Sequence, residues 1–259
     1  MTIELLLIIS IYICVFLFGI VIGSFLNVCI LRIPEGESVV TNRSHCMSCG
    51  YQLRWYDLVP LFSYLFLGGK CRKCKAHISK QYPIVEAANG ILWILVFAVN
   101  GISIDSVLYC LMTSALLTLS VIDLRTYEIP LGINVFILTL GLMHLFLHLQ
   151  EWKTYVIGLL LVSTFLQILV IASKGRAMGG GDVKLMAAAG FLIGWQYSVL
   201  ALVLGCMIGS VIHLIRMKIS DQDHMLAMGP YLSVGIFIAT LWGQQFLDWY
   251  FGYYLNLAR

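Results

Sequence analysis

Charge is the first thing this sequence lacks. Lys, Arg, Asp and Glu make up only 11% of its 259 residues, while hydrophobic residues reach 60% and the mean hydropathy is +0.92. Soluble domains run nearer to about 45–50% apolar and about 25% charged, so a freely soluble globular protein is excluded and a membrane protein is expected. Proline is scarce as well, five in all, which leaves long apolar stretches uninterrupted. Extended polar segments are missing except for residues 34–82. No basic residue precedes the first apolar run and no small-residue cleavage pattern follows it, so a cleavable signal peptide is not expected and the first helix should be retained. The glycine-rich strand-to-helix fingerprint of a nucleotide fold is absent. Internal repeats and low-complexity segments are not visible in the letters.

What is present is a series of charge-free runs: 5–31, 87–104, 106–122, 129–150, 154–173, 185–215 and 224–247. A membrane span needs about 20 mostly apolar residues, so each is a span or close to one. The run 185–215 is long for one helix, and Gly194-Trp195-Gln196-Tyr197 in its middle reads as a turn flanked by interfacial aromatics. The expectation is therefore an all-α polytopic membrane protein of about eight helices, the sixth of them short. Basic residues favour the cytoplasmic side. An external N-terminus puts the loop residues 32–80, Arg125, Lys174, Arg176, Lys184, Arg216 and Lys218 inside, leaving only Lys153 and Arg259 outside. The net charge of +3 is then a membrane protein's cytoplasmic bias, and no nucleic-acid partner is expected.

The polar segment carries two C-x2-C pairs, Cys46/Cys49 and Cys71/Cys74, with 21 residues between them. A two-residue gap lets both sulfurs of a pair turn toward one ion, so the four predict a closed tetrahedral zinc site that braces the loop and has no open position for catalysis. The gap between pairs is one residue beyond the usual zinc-ribbon range of about 15–20. Disulfides are the competing reading, but cytoplasmic placement opposes them. His45 and His77 are alternative ligands or plain loop residues, and Cys14, Cys29, Cys110 and Cys206 read as packing residues in apolar helices.

Carboxylates in or at the ends of spans are costly and tend to be functional. Most of the 13 acidic residues belong to loops, Asp221 and Asp223 among them. Glu86, Asp123, Glu128 and Asp182 remain. Asp123 closes the third span in "LSVIDLRTYEIP", and Asp182 follows Gly179-Gly180-Gly181 in "AMGGGDVKL". Two spans separate them, so both lie on the same membrane face. Two neighbouring carboxylates share a proton, and one can then act as base on a water while its protonated partner polarises a carbonyl, as in aspartic proteases. Glycines permit positive φ and close backbone approach, so the triplet is expected to let an extended substrate lie beside Asp182. The plainer alternatives are that Asp182 caps a helix beginning at Val183 and that Asp123 merely ends one. Arg125 and Lys184 read as interfacial anchors, Glu128 as a loop residue and Glu86 as a helix-start carboxylate favoured by the dipole.

At these residues the sequence resembles the type IV prepilin peptidases, a family of GxGD-type intramembrane aspartic proteases. "GGGDVK" is similar to their G-x-G-D-x-K motif and "DLRTYEIP" to their D-x6-P motif. "GSFLNV" at 23–28, both cysteine pairs, "GKCRKC" at 69–74 and "YPIVE" at 82–86 extend the likeness from residue 20 to about 190. The resemblance implies a bifunctional enzyme of the bacterial cytoplasmic membrane. It would cleave the short basic leader of type IV prepilins and pseudopilins on the cytoplasmic side, then N-methylate the new terminus with S-adenosylmethionine. By the same likeness Asp123 and Asp182 are the proteolytic pair and Cys46, Cys49, Cys71 and Cys74 hold the zinc. Gly69, Lys70 and Glu86 are its candidates for methyl transfer.

Two modules are expected: residues 1–104, with two spans and the zinc loop, and residues 105–259, a six-helix peptidase core. The rival readings are a membrane thiol-disulfide oxidoreductase, which would leave Asp123 and Asp182 without a role, and an ion-coupled transporter, which would leave the cysteine loop unexplained. The sequence does not specify an oligomeric state.

Overall fold

All five prolines stand at helix boundaries, which leaves each helix unbroken along its length. The computed structural model describes residues 3–175, 178–219 and 226–257, with side chains as far as Tyr253; Arg176, Ala177, Asp221, Asp223 and Arg259 lie outside these. The helices are α1 (Ile3–Arg32), a short α2 (Phe62–Phe66), α3 (Gln81–Asn100), α4 (Ile104–Thr126), α5 (Leu131–Leu147), α6 (Trp152–Ala172), α7 (Gly180–Ile193), α8 (Trp195–Ile219) and α9 (Gly229–Leu257). Pro34 follows α1 and Pro60 precedes α2. Pro83 and Pro230 lie in the first turns of α3 and α9, and Pro130 is the N-cap of α5. A residue without an N–H costs least at such positions.

The described residues contain no strand, only two isolated antiparallel bridges, so the fold is all-α. Among the described residues five stretches are long and apolar enough to cross a membrane: α1, α3, α4, α8 and residues 149–172, which contain α6. Large apolar side chains such as Leu7, Phe18, Phe136, Phe165, Ile168 and Met207 point outward, as lipid-facing residues do. The long run 185–215 divides into α7 and α8 at a single residue, Gly194, whose φ of +83° suits glycine. The expected break is therefore real but tighter than four residues, because helix resumes at Trp195.

The chain divides into two compact units, Met1–Ser106 and Val107–Arg259. In the first, α1 and α3 pack antiparallel through small residues. An added Cβ on Gly19 would lie 2.7 Å from Gly90 Cα, and one on Gly23 would lie 2.8 Å from Glu86 Cα. Only hydrogen atoms fit between the two backbones there. The same register continues in Asn89, whose amide donates to the Gly19 carbonyl at 2.7 Å, and in Asn27, whose amide donates to the Tyr82 carbonyl at 3.1 Å.

In the second unit α7 is the central element, packed against α5, α6, α8 and α9. Nine of its 14 residues are buried. Gly158 of α6 and Gly190 of α7 meet backbone to backbone, which brings these helices to their closest approach.

Candidate functional site

The polar loop of the first unit folds as two copies of one knuckle. In the first, the Cys46 N–H donates to the Tyr51 carbonyl (2.9 Å), Gly50 to Cys46 (2.9 Å) and Leu53 to Ser44 (2.9 Å). In the second, Cys71 donates to Ala76 (2.8 Å), Lys75 to Cys71 (3.0 Å) and Ile78 to Gly69 (2.8 Å). Every partner is displaced by 25 positions, and the two left-handed residues, Gly50 at φ +67° and Lys75 at φ +62°, correspond. The expectation of no internal repeat is thereby corrected: the backbone repeats at the 25-residue displacement that also relates the two C-x2-C pairs.

The knuckles bring the sulfurs of Cys46, Cys49, Cys71 and Cys74 within 4.8 Å of one another, a cluster that could hold a metal ion. Cys46 Sγ and Cys74 Sγ are 3.8 Å apart. Tetrahedral zinc–thiolate bonds of about 2.3 Å demand a sulfur–sulfur spacing of about 3.8 Å, so the donor set fits that ion. N–H groups of Cys74 and Lys73 donate to the Cys71 sulfur and lower its thiol from the usual value, which favours the thiolate form that a metal takes. His45 and His77 are outside this cluster; they form the bridges to Gln52 and Lys70 that close the knuckles. Asp57 ties the copies together, accepting from the Arg72 guanidinium at 2.7 Å and from the Arg54 N–H at 3.2 Å.

Gly69 is buried at φ +68°, where an added Cβ would lie 2.8 Å from the Tyr64 hydroxyl. Lys70 beside it is exposed. Glu86 is not a first-turn residue. It is the sixth residue of α3 and is buried, with the Ser24 hydroxyl and the Leu61 N–H (2.8 Å) hydrogen-bonded to its carboxylate. A role as a dipole-favoured helix-start carboxylate is thereby corrected: Glu86 fastens the loop to the α1–α3 pair. "GSFLNV" and "YPIVE" are the two sides of that joint.

In the second unit, Asp123 and Asp182 line one cavity of about 300 Å³. Both are buried, 4% and 7% exposed, and the Asp123 charge acts on Asp182. Asp123 lies in the last turn of α4, and its Oδ2 accepts the N–H of Gly229, the first residue of α9, at 2.9 Å. An added Cβ on Gly229 would lie 2.7 Å from that same oxygen. Asp182 is the third residue of α7, which begins at Gly180 and not at Val183, and its Oδ2 accepts the N–H of Gly179 at 3.3 Å. Each carboxylate is therefore held by one oxygen at a helix start, and its Oδ1 takes no part in either hydrogen bond.

The glycine triplet differs from expectation. None of Gly179, Gly180 and Gly181 has positive φ; Gly179 is extended at φ −76° and the next two are helical. Gly181 faces Ile129, where an added Cβ would lie 2.9 Å from the Ile129 Cβ. The close approach at Gly181 is thus made by the chain's own 127–130 turn, and this contact seats the start of α7 beside the end of α4. A Cβ added to Gly180 would meet nothing within 4 Å beyond its own helix, and Gly180 lines the cavity. Glu128 and Lys184, read as a loop residue and an anchor, line it too, as do Tyr127 and Ile129. Their positions at the two helix junctions were the only available signal. Gly229 carried none, being 106 residues from its partner.

The chain is similar to the family described as the Bacterial Peptidase A24 N-terminal domain over residues 17–100 and to the Type IV leader peptidase family over residues 110–214. Among curated proteins it resembles the Prepilin leader peptidase/N-methyltransferase of Stutzerimonas stutzeri, at 34% identity covering 95% of this chain and 94% of that protein. Proteins of the same name from Pseudomonas aeruginosa (33%, covering 90% of each chain) and Aeromonas hydrophila (32%, covering 91% and 92%) are similar as well. No solved structure shows a significant match.

Proposed function

The chain belongs to the type IV leader peptidase family, and from that premise we propose that it is a membrane aspartic endopeptidase of the bacterial inner membrane. It removes the leader from type IV prepilins or pseudopilins and N-methylates the new terminus. The observation that carries the peptidase half is the pair of buried carboxylates in one cavity. Asp123 and Asp182 share a proton. The ionised member takes a proton from water through its Oδ1 while the protonated member hydrogen-bonds the scissile carbonyl, and the proton then passes to the leaving amine. The Gly229 and Gly179 N–H groups orient both carboxylates without joining the exchange. Gly180 offers the open wall along which a substrate backbone lies.

Cys46, Cys49, Cys71 and Cys74 hold one structural zinc, which supplies bracing and no reaction chemistry. The methyl-transfer half belongs to residues 1–104 and the peptidase half to 105–259. Gly69, Lys70 and Glu86 do not by themselves compose a pocket for S-adenosylmethionine, since Gly69 is covered by Tyr64 and Glu86 is engaged by Ser24 and Leu61. The excess of Lys and Arg in the 32–80 loop supports a cytoplasmic active site and an external N-terminus. Neither the oxidoreductase nor the transporter reading finds support among the relatives.

Incubating the purified enzyme with a prepilin, with and without S-adenosylmethionine, and weighing the product tests both halves. The expected products are the mature chain alone and the mature chain plus one methyl group. Asp123→Asn and Asp182→Asn should each lower cleavage on the order of a thousandfold or more, while methylation of a leaderless peptide continues. Near-normal cleavage by either variant would sink the dyad.

A further inference from the structure

We infer that α2 and the turn before it form a foot that rests at the boundary between lipid headgroups and acyl chains, held at that depth by Glu86. The first observation is the apolar face of this element. Phe62, Leu65 and Phe66, spaced i, i+3 and i+4, share one face of α2 and are 48%, 71% and 87% exposed. Trp55, in the preceding 3-10 turn, is 80% exposed. The ring between them in sequence, Tyr64, points the other way and covers Gly69 of the second knuckle. One side of α2 therefore belongs to the cysteine module and the other is exposed.

The second observation fixes the depth of that face. Leu61, the N-cap of α2, donates its N–H to Glu86 at 2.8 Å, and Glu86 is the last charge before the charge-free run 87–104, of which α3 contains residues 87–100. At about 1.5 Å per residue the 20 residues of α3 span about 30 Å, the thickness of the hydrocarbon core. A crossing by all 20 residues puts Gln81 at the boundary and Glu86, five residues further along, about 7.5 Å inside it, and the start of α2 is brought to that level. Leu61 holds φ +59° and ψ −52°, a conformation that a residue bearing a Cβ rarely adopts. The Glu86 carboxylate fastens the chain at that strained point.

The third observation is charge. Lys70, Lys73, Lys75 and Lys80 are exposed on the same loop, and cations beside an apolar face with a tryptophan suit an anionic lipid surface. The occupant is thus the bilayer's own phospholipid. A second copy of the chain, or the residues 107–259, would cover the face without using its depth or its charge.

The test uses the full chain with p-benzoylphenylalanine at position 66, and separately at 65, reconstituted in phosphatidylethanolamine vesicles containing phosphatidylglycerol. Both positions are exposed, so the larger ring meets no internal neighbour. After irradiation and digestion, the labelled peptide should gain the mass of a phospholipid. An adduct with any peptide of the same or a second chain, or no adduct, overturns the inference. Adding Glu86→Ala should lower the lipid adduct at least about threefold, while Glu86→Gln, which keeps a carbonyl acceptor, should preserve it. An unchanged yield in Glu86→Ala overturns the tether. These outcomes do not depend on the dyad or on methyl transfer, since no activity is read.

Discussion

Gly229 has no side chain, yet it decides where the Asp123 carboxylate points. Its N–H holds Oδ2 at 2.9 Å, and an added Cβ would stand 2.7 Å from that oxygen and 3.0 Å from Leu119 Cδ2. Gly229→Ala must push the carboxylate away or tilt the start of α9. A displacement of about 1 Å costs roughly a hundredfold in rate, so kcat for cleavage should fall by that order with KM little changed; steady-state kinetics that show KM rising and kcat intact would refute this. Gly181 poses a different problem, because the nearest group is Ile129. Gly181→Ala should slow cleavage by unseating α7 from the 127–130 turn, and Ile129→Ala in the same chain should restore much of the rate. If the double variant is as slow as the single one, the methyl is meeting substrate and the contact with Ile129 is incidental.

At the scale of elements, the two cysteine knuckles share their hydrogen bonds and their cysteines but differ at the left-handed position. Position 50 is glycine and its counterpart 75 is lysine, both left-handed. An L-residue with a side chain pays about 1–2 kcal/mol in that conformation, partly offset by the greater freedom of glycine in the unfolded chain. Lys75→Gly should therefore stabilise the second knuckle by about 0.5–1 kcal/mol. With zinc bound at one ion per chain, the chelator concentration that strips half of the metal should rise roughly two- to fivefold. A midpoint that stays put or falls would mean that the Lys75 side chain contributes something the backbone argument omits.

For the molecule as a whole, lipid made much of the architecture legible. A bilayer demands about 20 apolar residues per crossing, so α1, α3, α4 and α6 show directly as charge-free runs, and scarce carboxylates made Asp123 and Asp182 conspicuous. The rest depends on backbone. Beyond its two C-x2-C pairs the knuckle repeat lives in N–H and C=O partners, and Gly229 reads like any helix glycine until the fold carries α9 to α4. Glu86 was visible as an isolated carboxylate, but its partner is an N–H 25 residues away. The short central helix has a consequence of its own. At 14 residues α7 is about 21 Å long, less than the hydrocarbon thickness of about 30 Å, and it is walled by α5, α6, α8 and α9. Its neighbours must answer hydrophobic mismatch by tilting when lipid composition or temperature changes the membrane. Gly158 and Gly190 hold α7 against α6 instead, so the level of Asp182 within this unit follows protein packing and not lipid thickness.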